Sequence, residues 1–318
     1  MPASLLHRYF AEDVLSEIPS SEADFIFVGT QGPDPFMAYG TNPFFGKRSD
    51  VPEVNPWGSK MHQTHLSEVY APMARYAYSK SGREKEILFA YLEGLLLHFT
   101  LDRLVHPYVF YRTGFDENGK YGGIYVFYHG AFESVLDKTY GKRNKRFLPP
   151  AKALPVIQEE DLDALSRMWA SCATIPLKES AFTESYLEFR SVMKLLYSPM
   201  GIKRTLFKLV MGKTSKAYSL SYPASLKRFA ALDVENLSHD VWKDPCTGEE
   251  HHESIPDLIE LAKKDARTVH EIVQKARLGQ DIASMLDEYE RGRDHDGEVY
   301  GRKKKHCDIC FLKHPIKI

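Results

Sequence analysis

The chain has 318 residues, 43% of them hydrophobic and 27% charged, so it can bury a sizeable core and falls outside the disordered and fibrous classes. Its 42 basic and 43 acidic side chains leave a net charge of −1, which excludes a chain-wide polyelectrolyte binder. Four cysteines in this length do not make a disulfide framework.

Residues 5–16 carry apolar and polar side chains at helical spacing. Residues 22–57 are rich in Gly, Pro and Asn and read as irregular loop. A helix over 65–80 follows, bent or broken at Pro72. The clearest helix covers 82–106, with Ser81 and Glu84 as a capping box and Pro107 as its stop. Another runs from about Gly123 to Tyr140, and a basic loop, GKRNKRFLPP, comes after it. Later helices are expected at 159–172, 180–197, 223–238, 255–277 and 281–291. No strand pattern, internal repeat or heptad is evident. The expectation is an all-α protein: a helical domain over 1–240 with long metal-bearing loops, and a helical extension with a charged tail over 241–318.

The beginning of the chain has neither a basic n-region nor an apolar run of signal-peptide length. The longest greasy stretch, Ile87 to Leu101, contains Glu93 and His98 and falls short of the ~20 residues a membrane span needs. A soluble, cytoplasmic protein is expected.

The chemistry concentrates in the first 140 residues. His98, Asp102 and His106 sit at i, i+4 and i+8 of the 82–106 helix, each about 40° round from the last, so they line one face over roughly 12 Å. Leu95, Leu96, Leu97, Leu101, Leu104 and Val105 surround them, so the helix should be buried and these polar groups need partners. Imidazole and carboxylate are the usual zinc ligands. His129 and Glu133 form a second i, i+4 pair in an apolar setting, and Gly130 leaves space beside the imidazole. In the loop GTQGPDP, Asp34 lies between Pro33 and Pro35, a stiff turn suited to a preorganised ligand or base. His62 and His65 add two imidazoles, and His7 lies on the N-terminal helix.

Together these features resemble the zinc-dependent phospholipase C family, in its bacterial, non-secreted branch, which is related to the zinc-dependent single-strand nucleases. The resemblance rests on His7, the Gly-Pro-Asp loop with Asp34, the Gly-x-x-Met-His segment with His62, His98-x-x-x-Asp102 with His106, and His129-x-x-x-Glu133, in that order. It covers residues 5–140 firmly and extends over 141–240 only as helices. It implies an all-helical domain holding two or three zinc ions: one on Asp34, His62, His98 and Asp102, a second on His106, His129 and Glu133, and a third on His7 with Asp102 bridging. In secreted members a processed N-terminal Trp completes the third site. Here Met1 begins the chain with no cleavage signal before His7, so two ions are expected and the third is left open, as is the choice between His62 and His65. The one-turn step from Asp102 to His106 is shorter than in the secreted members.

The implied activity is hydrolysis of a phospholipid or another phosphodiester by a metal-activated water, with Asp34 orienting or deprotonating that water. A zinc-dependent nuclease acting on nucleic acid, a small-molecule phosphodiesterase and a metal-stabilised binding protein without turnover are the alternatives. Phe36, Tyr39, Phe44, Phe45 and Trp57 are candidates to hold an acyl-glycerol, a choline or a base. From Phe189 to Leu232 there is no Asp or Glu, while Arg190, Lys194, Lys203, Arg204, Lys208, Lys213, Lys216, Lys227 and Arg228 alternate with apolar groups. Such a segment suits an anionic membrane surface or a solvated face. The run from Cys246 to Glu253 reads as an exposed polar loop, Asp294 to Glu298 as an incomplete calcium loop, and His306-Cys307-x-x-Cys310-x-x-x-His314 as a miniature zinc knuckle. Cys172 is expected in the core.

Overall fold

The computed structural model describes residues 4–42, 45–120, 122–212 and 215–307. Among them are thirteen α-helices and one two-residue antiparallel β-pair, an all-α fold. Among the described residues no helix is long and apolar enough to cross a membrane.

The organising element is α6 (Gly82–Thr113), 32 residues long and buried over most of its circumference. At 1.5 Å per residue it spans about 48 Å, so helices from both ends of the chain can pack along it. It starts at Gly82 as expected, but Ser81 makes no side-chain cap bond, and Glu84 instead faces Arg167 at 3.5 Å. Pro107 does not stop it: the helix continues to Thr113. A mid-helix proline removes one hydrogen bond at a cost of about 3 kcal/mol, which burial of Val105, Tyr108, Val109 and Phe110 offsets. His106 therefore stays on the same helical face as His98 and Asp102.

The Gly- and Pro-rich stretch is not loop. It folds into α2 (Ala23–Gly29), α3 (Asp34–Ala38) and α4 (Val51–Met61). Pro35 and Pro52 sit in the first turns of α3 and α4, where a missing N–H costs nothing, while Pro56 lies inside α4. Gly29 is there for close approach: a Cβ on it would lie 2.3 Å from the Tyr91 carbonyl of α6, and one on Gly94 would lie 2.3 Å from the Ile26 carbonyl of α2.

α1 (Ser4–Glu17) and α7 (Ile124–Arg143) complete the layer around α6. The first turn of α1 is capped from a distance. Asp137 of α7 accepts from the Leu5 N–H at 3.2 Å and the Leu6 N–H at 3.0 Å, serving amides that an adjacent N-cap would normally serve. Tyr222 donates to the same carboxylate at 2.6 Å.

α5 (Leu66–Tyr78) contains Pro72, and α8 (Glu159–Cys172) and α9 (Ala181–Leu196) fall where the periodicity placed them. Cys172 is buried. Two short helices, α10 (Ile202–Met211) and α11 (Lys216–Leu220), were not anticipated, and the helix expected at 223–238 is only a 3-10 turn over Lys227–Leu232. The β-pair, β1 (Trp242–Lys243) with β2 (Glu250–His251), was also not anticipated. α12 (Ile255–Arg277) opens on a capping box between Ser254 and Asp257 and packs along α6, where Arg103 reaches Asp265 at 2.5 Å and His270 reaches Glu93 at 2.9 Å. α13 (Ala283–Glu290) packs on α5, with Glu290 accepting from the Leu66 N–H at 3.1 Å.

Candidate metal centre

His7, Asp34, His62, His98, Asp102, His106, His129 and Glu133, expected as ligands from helical spacing or from the resemblance, are all buried, and together they converge where α1, α3, α4, α6 and α7 meet. Three groups of side chains can each hold a metal ion: Asp34 with His62 and His98, His7 with His98 and Asp102, and His106 with His129 and Glu133. The ligand atoms of each group lie within 4.8 Å of one another.

Backbone carbonyls aim the imidazoles. His62 Nδ1 lies 2.8 Å from the Gly58 carbonyl, in the last turn of its own helix α4. His98 Nδ1 lies 3.1 Å from the Thr30 carbonyl at the end of α2. His106 Nδ1 lies 3.2 Å from the His295 carbonyl. An Nδ1–H donated to a carbonyl leaves Nε2 with its lone pair free to ligate. The Nε2 atoms all point at carboxylates: His62 at Asp34 (3.4 Å), His7 and His98 at Asp102 (3.0 Å each), and His106 and His129 at Glu133 (3.4 and 3.3 Å). Such convergence of lone pairs and anionic oxygens is the donor arrangement a divalent cation needs.

Gly32 admits this packing. Its φ is +56°, and a Cβ on it would lie 2.2 Å from the His98 ring, so only glycine carries the chain past the imidazole without displacing it. The rings of His7 and His98 stack with centroids 4.4 Å apart.

Asp102 is the hub. Its Oδ1 meets His7, while its Oδ2 meets His98 at 3.0 Å and lies 3.8 Å from His106 Nδ1 and 3.9 Å from His62 Nε2. Burial opposes its charge, but His106, His98 and His7 hold the carboxyl well below the usual carboxylate range. Glu133 is likewise held low against burial, with His129 and His106 beside it. Burial also opposes charge on His106, yet Asp102, Glu133 and Asp296 push the imidazole up to about 10. Without metal the cluster therefore holds protons that a bound cation must displace. His7 is lowered by burial. A cavity of about 10 Å³ lies among His7, Asp102, His106 and Glu133, walled by Leu6, Leu101, Val105 and Val109. It has room for roughly one water-sized body.

Compared with family models, curated proteins and solved structures, the chain matches none. The reading of this centre therefore rests on its own geometry.

His65 does not join the cluster. Its ring is exposed and bonds Glu290 at 2.5 Å, whereas His62 lies inside. The loop aromatics do not line a ligand pocket either. Phe36, Tyr39 and Trp57 are buried, and Phe36 packs edge-on against Trp169 and Phe182. Phe45 is exposed, and Phe44 lies outside the described residues.

The segment that resembled part of a calcium loop is instead part of the centre. His295 is fully buried, its ring 5.5 Å from His62 and 6.0 Å from His98, and its Nε2 3.1 Å from the Tyr70 hydroxyl. Its amide donates to the His62 carbonyl at 3.0 Å. Asp296 lies 3.6 Å from His106 Nδ1, an outer partner for that ligand. The turn closes on itself, Asp294 accepting from the Glu298 N–H at 2.9 Å. Gly297 (φ +69°) rests on the Pro107 ring and the Arg103 carbonyl that Pro107 leaves without its helical donor. Arg293 ties the turn to Asp244 of the β-hairpin loop at 2.7 Å. No periodicity announces these contacts, although two acids flanking a histidine in an otherwise basic tail is a compositional hint. Of the miniature knuckle, Cys310 and His314 lie outside the described residues.

Proposed function

We propose that the protein is a zinc-dependent phosphodiester hydrolase, of the phospholipase C kind. The observation that carries this reading is that the three ligand groups adjoin: two of them share His98, and Asp102 lies between those and the third. Cations held side by side by these groups would suit an ester whose unbridged oxygens and leaving oxygen carry negative charge in the transition state. When bound, zinc supplies Lewis acidity and lowers the pKa of water toward ~7. Five helices, α1, α3, α4, α6 and α7, supply nitrogen and oxygen donors of the kind zinc prefers.

The chain's own groups divide the remaining work. Asp34 is held below its ordinary value, with burial opposed by His62 and His98 among its neighbours, so it stays a carboxylate and can orient a water and accept its proton. Asp34, Asp102 and Glu133 would offset three of the four positive charges that two zinc ions bring. The His295 turn excludes water from the His62 and His98 side. No side-chain nucleophile is needed.

The test is metal analysis of protein purified without chelator, followed by assay against a water-soluble bis-aryl phosphodiester, a short-chain phosphatidylcholine and single-stranded DNA. At least two zinc ions per chain and turnover of the phosphodiester and the lipid are expected. Turnover of DNA alone would favour the nuclease reading. Zinc without turnover of any of the three would favour a metal-stabilised binding protein.

A further inference from the structure

α10 presents the wrong side to water. An amphipathic surface helix ordinarily buries its apolar stripe. In α10 only Arg204 is buried. Arg204 donates to the Tyr218 carbonyl at 2.7 Å, and Phe207 packs against the core. At 100° per residue these two lie on one side, and Ile202, Leu206, Leu209 and Val210 share the opposite side within an arc of about 100°. Their side chains are 60, 55, 77 and 73% exposed. Lys203 adjoins one edge of this stripe, its Nζ donating to the Lys194 carbonyl at 2.7 Å, while Lys208 lies on the groove side next to Arg204, about 100° round from the other edge.

We propose that α10 is an in-plane docking helix for an anionic lipid surface. Its four apolar side chains enter the acyl boundary, and Lys203 and Lys208 meet the headgroup phosphates. Charge selects this occupant. No acidic residue occurs over the 44 positions from Phe189 to Leu232, so the segment that carries the stripe contributes positive charge only. A groove of about 350 Å³ beside α10, lined in part by Arg204, Lys208, Tyr218 and Lys227, continues that cationic surface. The stripe is aliphatic and lacks the Trp and Tyr anchors that concentrate affinity at protein interfaces, whereas an aliphatic face with lysines on the polar side is the composition of helices that lie in bilayers.

The helix is coupled to the metal centre. The Arg204–Tyr218 bond fastens it to α11, where Tyr218 stacks on Phe127 of α7 and the Ser219 carbonyl accepts from Ser134. α7 carries His129 and Glu133. Docking through α10 would hold that ligand-bearing helix close to the surface. The inference stands whether or not the metal centre hydrolyses lipid.

The test is co-sedimentation of the zinc-loaded full-length protein with vesicles of phosphatidylcholine alone or mixed with phosphatidylglycerol, at low and high salt. Binding should favour the anionic vesicles by about tenfold or more and fall with salt, because each lysine near such a surface contributes roughly fivefold in affinity. Leu206→Gln with Leu209→Gln should weaken it by at least about tenfold through lost apolar burial. Lys203→Glu with Lys208→Glu should abolish the preference for anionic lipid. All four positions are outside the core, so zinc content and hydrolysis of a soluble phosphodiester should match the parent in both variants. Equal binding to both vesicle types, or variants that bind like the parent, would overturn the proposal. So would a dimer in sedimentation velocity without vesicles that the leucine variant converts to monomer, since a second copy would then cover the stripe. Loss of phosphodiester turnover in the parent with vesicle binding intact would sink the hydrolase reading and leave this one standing.

Discussion

Replacing Asp102 with Asn should damage the centre more than replacing Glu133 with Gln. Asp102 faces four imidazoles, at 3.0, 3.0, 3.8 and 3.9 Å, and adjoins all three ligand groups. Glu133 faces two, both in one group. Asn keeps the shape of Asp102 but removes the charge and one ligand oxygen. Loss of a mere outer partner costs metal affinity 10–100-fold, and loss of a shared ligand should cost at least the upper figure at each ion it touches. A hundredfold weaker site is about 2.7 kcal/mol less metal-linked stability. At about 1.5 °C per kcal/mol, from ~2.1 cal/mol/K of unfolding entropy per residue over 318 residues, the zinc-dependent part of the melting temperature should shrink by roughly 4 °C for each ion affected. The assay is thermal unfolding with zinc and with chelator, alongside elemental analysis. Asp102→Asn should retain less than half the parent's zinc, with a small chelator-dependent shift. Glu133→Gln should keep the ions of the Asp34 and His7 groups and most of that shift. Equal zinc and equal shifts in the two variants would refute the hub assignment.

Gly32→Ala places a methyl 2.2 Å from the His98 ring at a φ of +56°; it should cost about 1–3 kcal/mol and lower zinc content while circular dichroism keeps the helical signal, and full zinc occupancy would show that the loop yields instead. Gly297→Ala puts a Cβ 2.6 Å from Pro107 and 2.7 Å from the Arg103 carbonyl, so the His295 turn should lift and chelator should strip zinc faster; an unchanged stripping rate would mean the turn does not seal the centre. Burial raises the Asp137 carboxyl from 3.8 to about 7. The folded chain thus holds a proton that the unfolded chain releases between those values, and the group's contribution to stability falls as pH rises from about 4 to 7, over a full span on the order of 4 kcal/mol. Asp137→Asn should flatten that part of the stability profile in melts at pH 5 and pH 7.5, and a slope like the parent's would contradict the assignment.

The ligand helices were legible because helical periodicity is local. His98, Asp102 and His106, and then His129 and Glu133, recur every fourth residue, and the apolar groups around them already require burial. α8, α9 and α12 could be read for the same reason. The stretch over 22–57 was misread because Gly and Pro signal turns by composition alone. Gly29 serves close packing against Gly94 instead, and Pro35 and Pro52 open helices. Pro107 reads as a stop in the sequence because the local cost of a mid-helix proline is visible there, while the burial that offsets it is not.

Sequence by itself determined an all-α chain and the residue types that face one another across α6 and α7, since both follow from spacing along single helices. Tertiary structure decided the rest. It chose His62 over His65, because one ring lies inside beside Asp34 and the other bonds Glu290 at the surface. It gave α1 its cap from Asp137, more than 130 residues away, and brought His295 and Asp296 onto the centre from the far end of the chain. It also turned the apolar stripe of α10 outward. Each of these depends on which surfaces meet once the helices pack, and a contact between segments far apart in the chain leaves no periodic trace in either one.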